Sequence, residues 1–172
     1  ETGVVARAVH DYLYTYRLGQ VAATLNIVSF DQRSASLLIS RNNPAPFVVL
    51  DTHGVHMHAE HSSVIGLNAG TKPNITELPL HPYTFVVVFS DGLLKAGEAY
   101  GEDIELGNFL AGWSVTQGSA SELAEALLNR AIELDRKQPV DDMSVLVVGV
   151  LPLLADYHLR RMSVRFPVES LH

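Results

Sequence analysis

The sequence predicts an α+β fold, with antiparallel sheets and helices packed on their faces. Three observations carry this. Short runs of strand character recur between residues 23 and 89, separated by turn residues at hairpin spacing. Two runs, Tyr83–Phe89 and Met143–Leu151, are apolar without alternation, as in strands buried on both faces. Two other segments carry apolar residues at helical spacing.

Taken in order, Val5, Ala8, Val9, Tyr12, Leu13 and Tyr16 define a first helix, with Gly19 placed to end it. Thr2 falls in its first turn, so the helix opens with almost no lead-in. Strands follow over Ala23–Phe30 and Ala35–Ser40, joined by the turn Asp31-Gln32-Arg33-Ser34. Asn42-Asn43-Pro44-Ala45-Pro46 breaks the pattern. Phe47–Leu50 and Val55–Glu60 flank Asp51-Thr52-His53-Gly54 as a second hairpin. Gly66–Asn74 reads as loop and Thr76–Leu80 as a short strand. Residues 92–118 read as irregular, with a short helix at Ile104–Ala111.

Ser119 and Glu122 stand at capping-box spacing. They open a helix with Leu123, Leu127, Ala131 and Leu134 on one face, which Gln138-Pro139 ends. Residues 1–151 form one domain on this reading. Residues 152–172 form a tail, with Arg160, Arg161 and Arg165 around an extra strand at Met162–Val168. Three basic residues do not make a docking patch, so a solvated tail is the preferred reading.

Composition narrows the function. The 172 residues are 47% hydrophobic and 18% charged, which supports a core and argues against disorder. The absence of cysteine excludes a disulfide scaffold, a zinc finger and a cysteine nucleophile, and agrees with a cytoplasmic setting. A net charge of −7 argues against a nucleic-acid partner, because counterion release needs clustered basic residues. The most apolar run, Val145–Ala155, is shorter than the ~20 residues of a membrane span and contains Gly149 and Pro152. No charged leader precedes an apolar stretch, so no signal peptide is expected.

The strongest constellation is Ser90-Asp91-Gly92 with Asp141-Asp142. Asp91 follows the end of one apolar strand, and the aspartate pair precedes the start of another. Were those strands antiparallel neighbours, all three carboxylates would gather at one sheet edge. Carboxylates massed there repel each other unless a cation is present. Oxygen ligands without cysteine suit Mg²⁺ or Mn²⁺. The competing reading makes Asp91-Gly92 a turn and Asp142 a cap.

His53, His56, His58 and His61 form a second candidate. His56 and His58 share a strand face at a spacing that can chelate Zn²⁺. Glu60 is assigned to the opposite face, so nothing completes the set, and a solvent-facing polar strand is preferred. His10 and Asp11 are adjacent on a helix and point apart, which makes both surface residues rather than an acid–base pair. Trp113 reads as an apolar anchor for its loop.

Phe85-Val86-Val87-Val88-Phe89-Ser90-Asp91-Gly92-Leu93 and Asp141-Asp142-Met143-Ser144-Val145-Leu146-Val147-Val148 resemble two metal-binding motifs. These belong to the metal-dependent (PPM-type) protein serine/threonine phosphatases, in particular the bacterial branch typified by stage II sporulation protein E. Thr24–Phe30 with Ser36–Ile39 resembles that family's central hairpin. Ser40–Pro46 resembles its Asn-Ala-Gly-His-Pro-Pro turn, and Val64-Ile65-Gly66-Leu67 its Pro-Leu-Gly-Leu segment.

The resemblance implies an αββα sandwich with a two-metal Mn²⁺ or Mg²⁺ cluster between the sheets. The metals would activate a water that attacks a phosphoserine or phosphothreonine phosphorus. Asp91 and Asp141 would be metal ligands, with Asp142 and Gly92 supporting them from just outside. The implied partners are a phosphorylated regulatory protein and an upstream sensor or receiver domain, and a homodimer is admissible.

The family's remaining ligands are an aspartate on its first strand and an Asp before a Gly-rich turn. Neither is here, and the first aspartate is Asp11 in mid-helix. The chain is therefore expected to be an N-terminally truncated phosphatase domain, inactive alone. The alternative is a non-catalytic, phosphatase-like regulatory binding domain. Asn43 replaces the turn's usual His, and Leu94-Lys95 replaces the common Thr-Glu after Ser-Asp-Gly; both substitutions are expected to alter the substrate surface.

Overall fold

A computed structural model describes residues 2–31 and 33–152. The expected strand at Met162–Val168 and the arginines around it lie outside the described residues. The chain opens with helix α1 (Thr2–Arg17). Strands β1 (Leu25–Asp31), β2 (Ser36–Asn42) and β5 (Asn74–Pro79) form a sheet in the order β1-β2-β5. Strands β3 (Phe47–Asp51), β4 (Gly54–His58), β6 (Thr84–Phe89) and β7 (Val145–Val150) form a second, in the order β4-β3-β6-β7. Every pairing is antiparallel.

Strand alternation separates the layers. On β3, Phe47 and Val49 join Leu37, Ile39, Val86 and Val88 in a core between the sheets. Val48 and Leu50 point the other way and join Phe85, Val87 and Phe89 under the second helical layer. That layer is α3 (Leu106–Ala111) and α4 (Ala120–Leu134), packed on β4 and β7 respectively. Helix α1 covers β1 and β2. The αββα order is the expected one.

Helix α4 presents the expected face, with Leu123, Leu127, Ala131 and Leu134 all buried. Its capping box is formed: the Glu122 N–H donates to Ser119 Oγ at 3.2 Å and the Ser119 N–H donates to Glu122 Oε2 at 2.8 Å. Its end comes at Leu134, before Gln138-Pro139. Arg136 and Lys137 turn left-handed, at φ 52° and 63°. The Asp135 carboxylate there accepts the N–H groups of Gly97 (2.8 Å) and Val140 (3.3 Å).

Trp113 anchors its loop as expected. It packs on the helical core, and Gly118 lies so close to the indole that a Cβ there would collide with it. His10 departs from the surface reading and is 1% exposed. The segment around Ile65, bridged to Ala23, folds back over α1, and the Gly66 N–H donates to His10 Nδ1 at 3.1 Å. Asp11 is exposed as expected.

Candidate functional site

Strands β6 and β7 are neighbours, with Phe89 opposite Val145. The end of one and the start of the other therefore share one sheet edge. Ser90 joins the chains just beyond the ladder. Its N–H donates to Ser144 O at 3.0 Å, and its Oγ accepts the Ser144 N–H at 2.9 Å. The same hydroxyl donates to Asp142 O at 3.0 Å. The Ser144 N–H is thus used by a side chain, which starts β7 at Val145 rather than Met143.

Asp91 opens a single helical turn, α2 (Asp91–Leu94), and Lys95 caps it through its N–H to Asp91 O at 3.0 Å. Gly92 packs directly on the Asp142 carbonyl, and an added Cβ would collide with it. Gly92→Ala is therefore expected to push residues 141–142 away from Asp91. A loss of about 1–3 kcal/mol is expected, checked by thermal denaturation.

The helical turn places Lys95 four residues after Asp91, on the same side. Its Nζ lies 2.5 Å from Asp91 Oδ2 and 3.2 Å from Asp141 Oδ2. The two aspartates thus converge as expected, on a cation the chain itself supplies. The repulsion anticipated between bare carboxylates is replaced by this shared ammonium. Hydrogen bonds to Asp91 and then Asp141 hold the Lys95 ammonium above its usual range. The hydrogen bond from Lys95, followed by the Asp142 N–H, holds Asp141 below the usual carboxylate range. Asp142 meets the site through its main chain: its N–H donates to Asp141 Oδ1 at 2.9 Å and its carbonyl accepts from Ser90. A cleft of about 360 Å³ opens beside the pair, lined by Gly92, Lys95, Glu98, Asp135 and Asp141 among others.

A divalent cation of the Mg²⁺ type takes about six oxygens in near-octahedral array. Asp91 and Asp141 offer two carboxylates, and Lys95 stands between them. No group of three or more His, Asp or Glu able to hold a metal occurs among the described residues. As placed here, this set does not fit a divalent ion.

The histidines of the β3–β4 hairpin meet carboxylates and an aromatic ring. His56 Nε2 and His53 Nδ1 lie 3.3 and 3.5 Å from Asp51 Oδ1, which also accepts the His53 and Gly54 N–H groups. Burial raises the Asp51 carboxyl, but the His53 and His56 hydrogen bonds together bring it below its usual range. His58 stacks on Phe47, with centroids 4.4 Å apart. Glu60, two residues past the end of β4, lies 3.8 Å from His58 Nδ1, so it is not turned to the opposite side as expected.

Three residues near the site carry roles that pattern reading missed. Lys95 was visible only as a departure from Thr-Glu, and its reach to both aspartates needs α2 to be helical. Asn43, expected to alter the substrate surface, is buried. Its Nδ2 donates to Phe89 O at 3.1 Å and its Oδ1 accepts the Ala45 N–H at 3.0 Å, tying the turn to the end of β6. Arg41 is buried beneath the same turn and donates to Asn43 O, Ala45 O and Glu60 O. No local signal marks it.

The comparisons agree with this architecture. The model of the stage II sporulation protein E (SpoIIE) family matches residues 1–151. No curated protein sequence matches significantly. The phosphatase domain of the cell fate determinant SpoIIE from Bacillus subtilis aligns at TM-score 0.62 and 17% identity, over 90% of this chain and 70% of that one. A longer SpoIIE structure, with the PP2C phosphatase domain and a fragment of the regulatory domain, aligns at 0.74 and 18% identity, over 88% and 45%. The SiaA PP2C domain of Pseudomonas aeruginosa aligns at 0.64 and 22% identity, over 81% and 56%. At these identities the structures speak for the fold, and the family match speaks for descent. The chain belongs to the stage II sporulation protein E (SpoIIE) family, and its fold is that of the PP2C phosphatase domains it aligns with.

Proposed function

We propose that this chain is part of a Mn²⁺- or Mg²⁺-dependent phosphatase domain that hydrolyses phosphoserine or phosphothreonine on a regulatory protein. The observation carrying this reading is the convergence of Asp91 and Asp141 on one cation position at the β6–β7 edge. A SpoIIE phosphatase domain that was presoaked with manganese adopts the same fold, which supports manganese as the ion. On this reading Asp91 and Asp141 are two of the metal's ligands, with Asp142 and Gly92 holding them in place. The other donors come from outside the described residues. Residues 1–151 are the phosphatase part and 152–172 a tail. The reading places the domain in the cytoplasm behind a sensor or receiver domain. No helix among the described residues is long and apolar enough to cross a membrane.

The 172-residue chain alone is expected to show near-background turnover of a phosphopeptide, even with excess Mn²⁺. A longer protein carrying the missing donors is expected to turn it over. Ordinary phosphatase rates from the isolated chain would refute its inactivity, and metal-loaded silence in the longer protein would refute the enzyme. Silence in both would leave the second reading, a non-catalytic regulatory binding domain. That reading is favoured by one observation, the ammonium of Lys95 standing where the ion would bind.

A further inference from the structure

Besides the shortage of donors, the misfit between this set and a divalent ion has a second cause at its centre, Lys95. Its Nζ touches the one oxygen of each aspartate that faces the shared position. The placement is built in: Lys95 sits one helical turn after Asp91, and its own N–H closes that turn on the Asp91 carbonyl. An ion bound to the same oxygens at ~2.1 Å would lie within a few ångströms of the ammonium, and two cations that close repel strongly. The ammonium is also free to leave. The Lys95 side chain is 48% exposed, and Glu98, three residues on, lines the same cleft with a carboxylate.

We propose that Lys95 is a resident counter-cation that competes with the divalent metal for Asp91 and Asp141, so that metal enters only by displacing its ammonium. The proposal rests on the reading of these aspartates as a metal site and deepens it by naming what regulates access to that site.

The test is Mn²⁺ binding by the full 172-residue chain, read from the free-ion electron paramagnetic resonance signal at fixed pH and ionic strength. Lys95→Gln is expected to bind Mn²⁺ at least tenfold more tightly than the unaltered chain. Lys95→Thr should repeat the gain with a side chain of different size, and Lys95→Arg, which keeps the charge, should lack it. Adding Asp141→Asn to Lys95→Gln should abolish the gain. Equal affinity with and without Lys95, whether tight or undetectable, overturns the proposal. So does a gain that survives Asp141→Asn. Because no substrate is present, a silent phosphatase assay does not touch this result. A longer protein that turns over with metal while Lys95→Gln binds no tighter would keep the phosphatase reading and discard the competitor.

Discussion

Arg41→Met is expected to lower the unfolding free energy by about 3–5 kcal/mol. Arg41 is 1% exposed, and its guanidinium holds three main-chain carbonyls at once: Asn43 O at 3.2 Å, Ala45 O at 2.9 Å, and Glu60 O. Its cation lies over the Phe47 ring at 5.9 Å and 3.6 Å from Glu60 Oε2. A buried ion pair can often be exchanged for apolar groups without loss, because both partners go. Here the partners are backbone carbonyls, which no side-chain substitution removes. Each one left buried without a donor costs roughly 1–3 kcal/mol. Part of that is recovered at Glu60, which is near solvent. Arg41→Lys should fall between, since one ammonium cannot span the planar fork. Urea unfolding checks this: the midpoint should fall while the slope stays constant. An unchanged midpoint in Arg41→Met would show that the turn is held by something else.

Asp91→Asn and Asp141→Asn, each made in a longer, turnover-competent protein, are expected to cut kcat/KM by roughly 100-fold or more. Residues that merely orient a ligand typically cost 10–100-fold when replaced, so on the proposed reading of these aspartates as ligands each should cost at least the upper figure. Folding should hardly respond, because both side chains are about half exposed and their ion pairs lie in water. The acid limb carries a sign. The folded Asp141 carboxyl lies below its usual range. Its contribution to stability is therefore present above the unfolded carboxylate pKa and lost as pH falls through the folded value. Asp141→Asn should flatten that limb. Near-normal turnover with metal still required would move the ligands elsewhere.

The features legible in sequence are those written locally. The continuous apolar runs of β6 and β7 and the Ser119–Glu122 box identify their elements without knowledge of the rest. Placing Asp91 beside Asp141 needed one added assumption, that β6 and β7 pair antiparallel, and they do. What stayed hidden depends on contacts across the chain. His10 is buried because a segment more than fifty residues away folds over it. Arg41 is held by Glu60 and Ser62 as well as its own turn. The end of α4 escaped because Arg136 and Lys137 turn left-handed without glycine, and no residue type signals that. Lys95 escaped because a segment read as irregular contains one helical turn, and that turn alone aims it.

Ser90 sets the spacing of the two aspartates through main-chain groups and one hydroxyl, all of them uncharged. The frame therefore does not sense what sits between the carboxylates. Displacement of the Lys95 ammonium by another cation, as proposed above, would therefore leave the strands in register. Under that proposal the occupancy of the site would follow the concentrations and hydration energies of the competing ions, with the fold as a fixed electrode rather than a hinge.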